Sequence, residues 1–270
     1  MNVGFIGMGT MGQMLVTALA RTDLFQPGEL FASTRDPDKL RRLGSSVQGL
    51  QIAYSNRELA QCCQVIFLCL KPSDTKAVLT EIAQYLTPDR LLVAITNTID
   101  IPILEGAVRA RVAKVIPSTV QSIHRGVSLL MFGERSTADD KAFLIRLMGA
   151  ISQPIVITES QARVASDLTS CGPAFLSYIF RALVHAARQY QPDLPIDTVN
   201  RMVRVTAAAT CELLEQTGLT FDDIISRVST PGGITADGLK VLDEQLAGVW
   251  EQVIETTIVK EEAKKAKVEL

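Results

Sequence analysis

Two textures divide the chain. As far as about residue 158, short apolar runs alternate with segments whose apolar positions recur at helical spacing. The runs at 3–6, 30–33, 51–53, 65–70, 91–95 and 112–116 predict buried strands. Helices are predicted between them at 10–20, 38–43, 56–62, 73–85 and 101–108. Two further strands, 127–131 and 154–157, flank a helix over 138–151. Such alternation is the mark of an α/β domain with a doubly wound, parallel sheet. Beyond residue 158 only helical periodicity remains, over 163–170, 173–190, 196–216, 221–228, 234–245 and 249–267. The expected organisation is a domain over 1–158 and an all-α domain over 159–270. Several of the later helices are apolar on more than one face: residues 201–214 carry Met202, Val203, Val205, Ala207, Ala208, Ala209, Leu213 and Leu214. A small helical domain buries such faces most readily against a second subunit.

Chemistry enters with the first strand. It runs into Gly7-Met8-Gly9-Thr10-Met11-Gly12, the G-x-G-x-x-G spacing at a strand-to-helix turn. Gly7 permits the tight turn, Gly9 lets the backbone approach a pyrophosphate, and Gly12 lets the helix lie close to the strand. The helix N-terminus offers unpaired N–H groups to phosphate, so the first domain is expected to be a Rossmann-type dinucleotide-binding unit. An NAD-type site places an acidic residue at the end of the second strand. Here that strand ends in Ser33, Thr34 and Arg35, which suits a 2′-phosphate and favours NADP(H) over NAD(H). The plainer alternative makes Arg35 a solvated loop residue and Asp36 a helix N-cap. Lys71 and Pro72 follow Leu70 directly, at the strand end where open parallel sheets bind ligands.

Composition narrows the field. With 270 residues, 47% of them hydrophobic, the chain can bury a large core, and its net charge of −2 argues against a nucleic-acid surface. No apolar run reaches the ~18 residues of a membrane span, and no basic leader precedes the first strand, so a cytoplasmic protein is expected. The cysteines, Cys62, Cys63, Cys69, Cys171 and Cys211, lack zinc-site spacing, and His124 and His185 are the only histidines. Neither a metal centre nor a Ser-His-Asp triad is expected.

In the helical half, Thr169-Ser-Cys-Gly-Pro-Ala-Phe175 and Val228-Ser-Thr-Pro-Gly-Gly-Ile-Thr-Ala-Asp-Gly-Leu239 place small residues just before a helix. Exposed N–H donors there can hold a carboxylate, although a cap or hinge would use the same residues.

Together these segments resemble pyrroline-5-carboxylate reductase, which reduces a cyclic imine to proline with a nicotinamide cofactor. The resemblance spans nearly the whole chain: the glycine run, Asn56, the strand ending at Lys71-Pro72, the Ser-Cys-Gly-Pro-Ala-Phe segment and the Pro-Gly-Gly-Ile-Thr run. It implies a helical dimerisation domain joining two subunits, which can assemble further. It implies cofactor contacts from Gly7, Gly9, Thr10 and Met11, from Ser33 and Arg35, from Asn56, and from Leu70, Lys71 and Pro72. It also implies a substrate-carboxylate clamp at Gly232, Gly233, Ile234 and Thr235. Thr169, Cys171 and Tyr178 are candidates to meet the ring nitrogen or orient the imine.

The chain departs from the family pattern at three places. The family's Met-Pro-Asn-Thr-Pro is Ile116-Pro-Ser-Thr-Val120, with Ser118 in place of an amide; Ser-Gly-Ser-Gly-Pro-Ala-Tyr is Thr169 to Phe175, with Ser170 and Cys171; and Ala-Ala-Gly is Thr96-Asn97-Thr98. These changes resemble a divergent, ComER-type branch found with bacterial competence genes. Two rivals follow. One is an NADP-binding regulatory protein without turnover. The other is a β-hydroxyacid dehydrogenase, which shares the opening run but carries a catalytic lysine after the nucleotide domain; this chain has no lysine between Lys141 and Lys240.

Overall fold

The computed structural model describes residues 1–267; the last residues of the expected 159–270 domain, 268–270, lie outside the described residues. Eight strands form one sheet: β1 (Val3–Ile6), β2 (Leu30–Ser33), β3 (Gln51–Ile52), β4 (Val65–Leu68), β5 (Leu91–Ala94), β6 (Arg111–Ile116), β7 (Val127–Phe132) and β8 (Gln153–Val156). Between them run α1 (Thr10–Leu19), α2 (Pro37–Ser46), α3 (Asn56–Cys62), α4 (Pro72–Ile82), α5 (Ile101–Ala107) and α6 (Ala138–Gly149). The strand order is β3-β2-β1-β4-β5-β6-β7-β8. It reverses between β1 and β4, the switch point where a doubly wound sheet opens a ligand crevice.

The central strands are buried on both faces, as parallel strands covered by helices must be. Phe5 stacks on Phe67 at 4.7 Å within the layer facing α1 and α6, while Ile66, Leu92 and Leu59 belong to the opposite layer. Register aligns the carboxyl ends: Ile6 pairs with both Ser33 and Leu68. Gly7, Thr34 and Cys69 therefore leave the sheet at one level.

The all-parallel expectation gives way at the last two strands, since β8 runs parallel to β7. β7 runs antiparallel to β6, with Ile116 opposite Leu129. The connection between them holds only a 3-10 turn, Thr119–Ile123, and a parallel return needs a crossover of about a dozen residues or more. Other elements differ from expectation at their ends, where caps decide. Pro37 and Pro72 each start a helix, because proline is tolerated in the first turn.

Beyond β8 come α7 (Ala162–Thr169), α8 (Gly172–Tyr190), α9 (Ile196–Thr217), α10 (Phe221–Val228), α11 (Ile234–Leu246) and α12 (Val249–Lys265). The chain forms two compact units, Met1–Gly172 with Thr257–Leu270, and Pro173–Thr256. Taken by itself, the second unit has few buried apolar side chains, Val184 and Val199 among them. Leu176, Ile179, Leu183, Met202 and Val205 stand exposed.

Candidate active site

The turn after β1 is built by its glycines. Gly7 has φ +98°, and a Cβ there would lie 2.5 Å from the Cys69 carbonyl oxygen. A Cβ on Gly12 would lie 2.1 Å from the Gly7 carbonyl oxygen, so both positions exclude a side chain. Around Gly9 nothing stands within 4 Å of where a Cβ would be. Gly9 is also the N-cap of α1, with no side-chain cap and no acidic residue in the first turn. The first N–H groups of α1 thus face open space with no protein acceptor from a cap, the arrangement that receives a pyrophosphate.

Beside this turn lies a cavity of about 580 Å³, lined by Gly7, Met8 and Gly9, by Thr34 to Asp36 with Lys39, and by Asn56, Leu70 and Lys71 on the facing wall. Ser33 is buried and its hydroxyl donates to Asn56 Oδ1 at 2.8 Å; Asn56 Nδ2 donates to Glu81 Oε2 at 2.8 Å. Asn56 is thereby fixed in the cavity wall by one strand end and one helix. Arg35 stands 85% exposed and meets the Asp74 carboxylate at 3.1 Å. Asp36 caps α2 by accepting from the N–H groups of Asp38 and Lys39. Those bonds, the Lys39 N–H foremost, hold its carboxyl below the ordinary range. The lining cations suit a phosphorylated ribose. Lys39, Asp74 and Glu81 were not singled out by the sequence. Lys39 carries the one available signal, its place a helical turn beyond Arg35.

A second cavity of about 550 Å³ shares Gly9, Cys69, Leu70 and Lys71 with the first. It continues along the strand ends past Ile95, Thr96, Asn97, Ile116 and Pro117 to Arg163, Ser166, Ser170 and Cys171. Thr10 and Met11 also line it, whereas Gly12 and Ser33 lie behind the two cavities and Pro72 faces a separate one. Thr169 does not line it: its hydroxyl donates to the Ala165 carbonyl at 2.8 Å, and its own carbonyl accepts from Ser118 Oγ at 2.9 Å. Ser118, at the position where the family amide is absent, therefore ties the end of β6 to the end of α7. Burial pushes the Cys69 thiol up to about 12, so this sulfur presents an uncharged surface.

Arg163 organises the far wall. It donates to Asp167 and to Glu261, each at 2.7 Å, and its Nη2 reaches Cys171 Sγ at 3.5 Å. Asn97 Nδ2 donates to the same Glu261 oxygen at 2.9 Å. Burial favours loss of the Arg163 charge, but the Glu261 and Asp167 carboxylates outweigh it and raise its pKa further.

Tyr178 and the Gly232 to Thr235 run belong to the second unit. Tyr178 is exposed, with the Arg181 guanidinium 4.9 Å from its ring centre. Gly232 takes φ +75° and Gly233 is the N-cap of α11, again with no side-chain cap; Ile234 is 94% exposed. The run presents a bare helix N-terminus, the feature a carboxylate clamp requires. Among the described residues no group of three or more His, Cys, Asp or Glu side chains could hold a metal, and no described helix is long and apolar enough to cross a membrane.

The geometry has counterparts in known proteins. Residues 159–264 match the family model for pyrroline-5-carboxylate reductase dimerisation, and residues 2–98 match that of NADP oxidoreductase, coenzyme F420-dependent. ComE operon protein 4 of Bacillus subtilis (strain 168) is 31% identical over 97% of this chain and 96% of its own. Pyrroline-5-carboxylate reductase 3 of the same organism is 28% identical over the same shares. Among solved structures, the Coxiella burnetii pyrroline-5-carboxylate reductase superposes with a TM-score of 0.85 at 24% identity, covering 100% of this chain and 98% of the other. The Plasmodium falciparum pyrroline carboxylate reductase, solved with NADP bound, gives 0.82 at 24% identity over 98% and 97%. With relatives matched along nearly its full length and a dimerisation region of the same kind, the chain belongs to the pyrroline-5-carboxylate reductase family.

Proposed function

We propose that this protein reduces 1-pyrroline-5-carboxylate, or a closely related cyclic imine, to proline with NADPH. The observation that carries the reading is the pair of adjoining cavities along the strand ends, joined by Gly9, Cys69, Leu70 and Lys71. One end sets Arg35 and Lys39 beside Thr34, and the other brings Ile95, Ile116 and Pro117 to one face of the cleft. That division fits a cofactor with a phosphorylated adenosine and a flat redox ring. The names of the relatives agree with it.

NADPH, when bound, supplies the hydride. The protein's part is to bind, orient and dry the reactants. Thr34, Arg35 and Lys39 face the ribose phosphate, Asn56 and Leu70 line the adenosine side, and the N-terminus of α1 from Gly9 to Met11 receives the pyrophosphate. Lys71 lies where the two cavities meet. Ile95, Ile116 and Pro117 exclude water from the ring. A protonated cyclic imine is already electrophilic, so transfer requires near-attack placement more than an acid-base pair. The imine carbon gains the hydride, the C=N π electrons settle on nitrogen, and that nitrogen keeps its proton. Ser170 and Cys171 are positioned to orient the imine. In the second unit, the bare helix N-terminus at Gly232 to Thr235 is suited to hold a carboxylate such as that of the imine. Residues 1–158 form the cofactor domain, and 159–270 the substrate domain and the interface of a homodimer or larger homo-oligomer, in the cytoplasm. The exposed apolar faces of α8 and α9 support the latter.

The test is NADPH oxidation by purified protein with 1-pyrroline-5-carboxylate, with the proline formed quantified. Turnover in the enzyme range of about 1–1000 per second supports the reductase. NADPH binding with no proline formed would move the substrate to a related cyclic imine, and no turnover with related cyclic imines either would overturn the reading in favour of a regulatory protein.

A further inference from the structure

We propose that Asp74 sets how strongly this chain prefers the 2′-phosphorylated cofactor, by holding Arg35 in the free protein and yielding it on binding. The proposal rests on the cofactor assignment above. Arg35 follows β2 and Asp74 lies in the first turn of α4, so the ion pair bridges the cavity from one wall to the other. A single contact joins them, Nη2 to Oδ2 at 3.1 Å, and the guanidinium is otherwise mostly exposed.

The other carboxylates lining the cavity have different commitments. Asp36 accepts from the N–H groups that start α2, and Glu81 accepts from Asn56. Asp74 alone among these lining carboxylates is paired with Arg35.

A phosphate dianion presents several oxygens to the guanidinium fork, where Asp74 gives it one contact. Exchange of Arg35 from carboxylate to phosphate is therefore favourable, but the apparent affinity is reduced by the fraction of molecules in which Arg35 is held. A cofactor with a bare 2′-hydroxyl has no dianion to draw Arg35 away and gains little from its release. Asp74 thus weakens NADPH binding selectively.

The experiment compares dissociation constants for NADPH and NADH in the wild-type protein, Asp74→Asn, Arg35→Gln and the double variant. Circular dichroism checks that each is folded. Asp74→Asn should tighten NADPH by about two- to fivefold, the scale of releasing one exposed ion pair, and leave NADH essentially unchanged. In the Arg35→Gln background the gain should vanish. An unchanged or weakened NADPH constant in Asp74→Asn would overturn the proposal. So would a gain that survives without Arg35, which would reveal plain repulsion between Asp74 and the phosphate. A wild-type protein that does not bind NADPH would instead overturn the cofactor assignment itself.

Discussion

The guanidinium of Arg163 in α7 donates to the buried carboxylate of Glu261 in α12, and Asn97 beyond β5 donates to the same oxygen. Two side chains that line the ring end of the cleft are thereby fixed by one residue near the end of the chain. Glu261→Ala removes the acceptor shared by the Asn97 amide and Arg163 Nη1, and leaves Arg163 with Asp167 as its one charged partner in the network. We expect a loss of about 2–4 kcal/mol in stability, the usual scale for breaking a buried, hydrogen-bonded pair. Glu261→Gln, which keeps an oxygen, should cost less. Urea denaturation reads both, and an alanine variant as stable as the wild type would show that the network carries no load.

The glycine turn makes a contrasting pair of variants. Gly12→Ala drives a Cβ into the Gly7 carbonyl and should destabilise the fold by about 1–3 kcal/mol, as overpacking does. Gly9→Ala meets nothing in the free protein. It should keep the melting temperature while weakening NADPH at least severalfold, because the methyl group intrudes where the pyrophosphate approaches. Equal NADPH affinity in Gly9→Ala and wild type would count against the phosphate site.

Acid sensitivity should pass through Asp140. Burial opposes its ionisation, yet the Thr137 N–H and hydroxyl and the two-pronged Arg111 contact outweigh that and hold the carboxyl below its ordinary range. A depressed folded-state pKa stabilises the fold above the unfolded value of about 4, and the benefit disappears as pH falls through the folded value. Asp140→Asn should therefore flatten the acid limb of a stability-versus-pH curve, measured by thermal melts from neutrality downward. An acid limb as steep as that of the wild type would place the sensitive carboxyl elsewhere.

The exposed faces of α8 and α9 predict assembly. Leu183→Asp and Met202→Asp put charge on side chains that stand open in the single subunit, and should shift the protein toward monomer in light scattering at micromolar concentration. Unchanged assembly in both would move the interface to another face.

Much of the cofactor half was legible because its determinants are local. The turn at Gly7 and the close approach at Gly12 are properties of one strand-to-helix junction, and Asp36 caps the helix that it precedes. What sequence reading missed is joined by the topology. Asp74 reaches Arg35 and Glu81 reaches Asn56 only because parallel crossovers pack α4 against α3 and bring its first turn to the loop after β2. Glu261 meets Asn97 across a separation of 164 residues. No periodicity encodes such pairs. The antiparallel β7 was hidden for a related reason: its residues spell a buried strand in either direction, and only the short link from β6 decides.

The most direct test follows the hydride itself. The protein should be incubated with NADPH carrying deuterium at the nicotinamide C4 on a single face, together with 1-pyrroline-5-carboxylate, and the proline examined by NMR. The account predicts deuterium from one face only, placed at the carbon that had been the imine carbon. Proline without label from either face, or no proline beside intact NADPH binding, would contradict it.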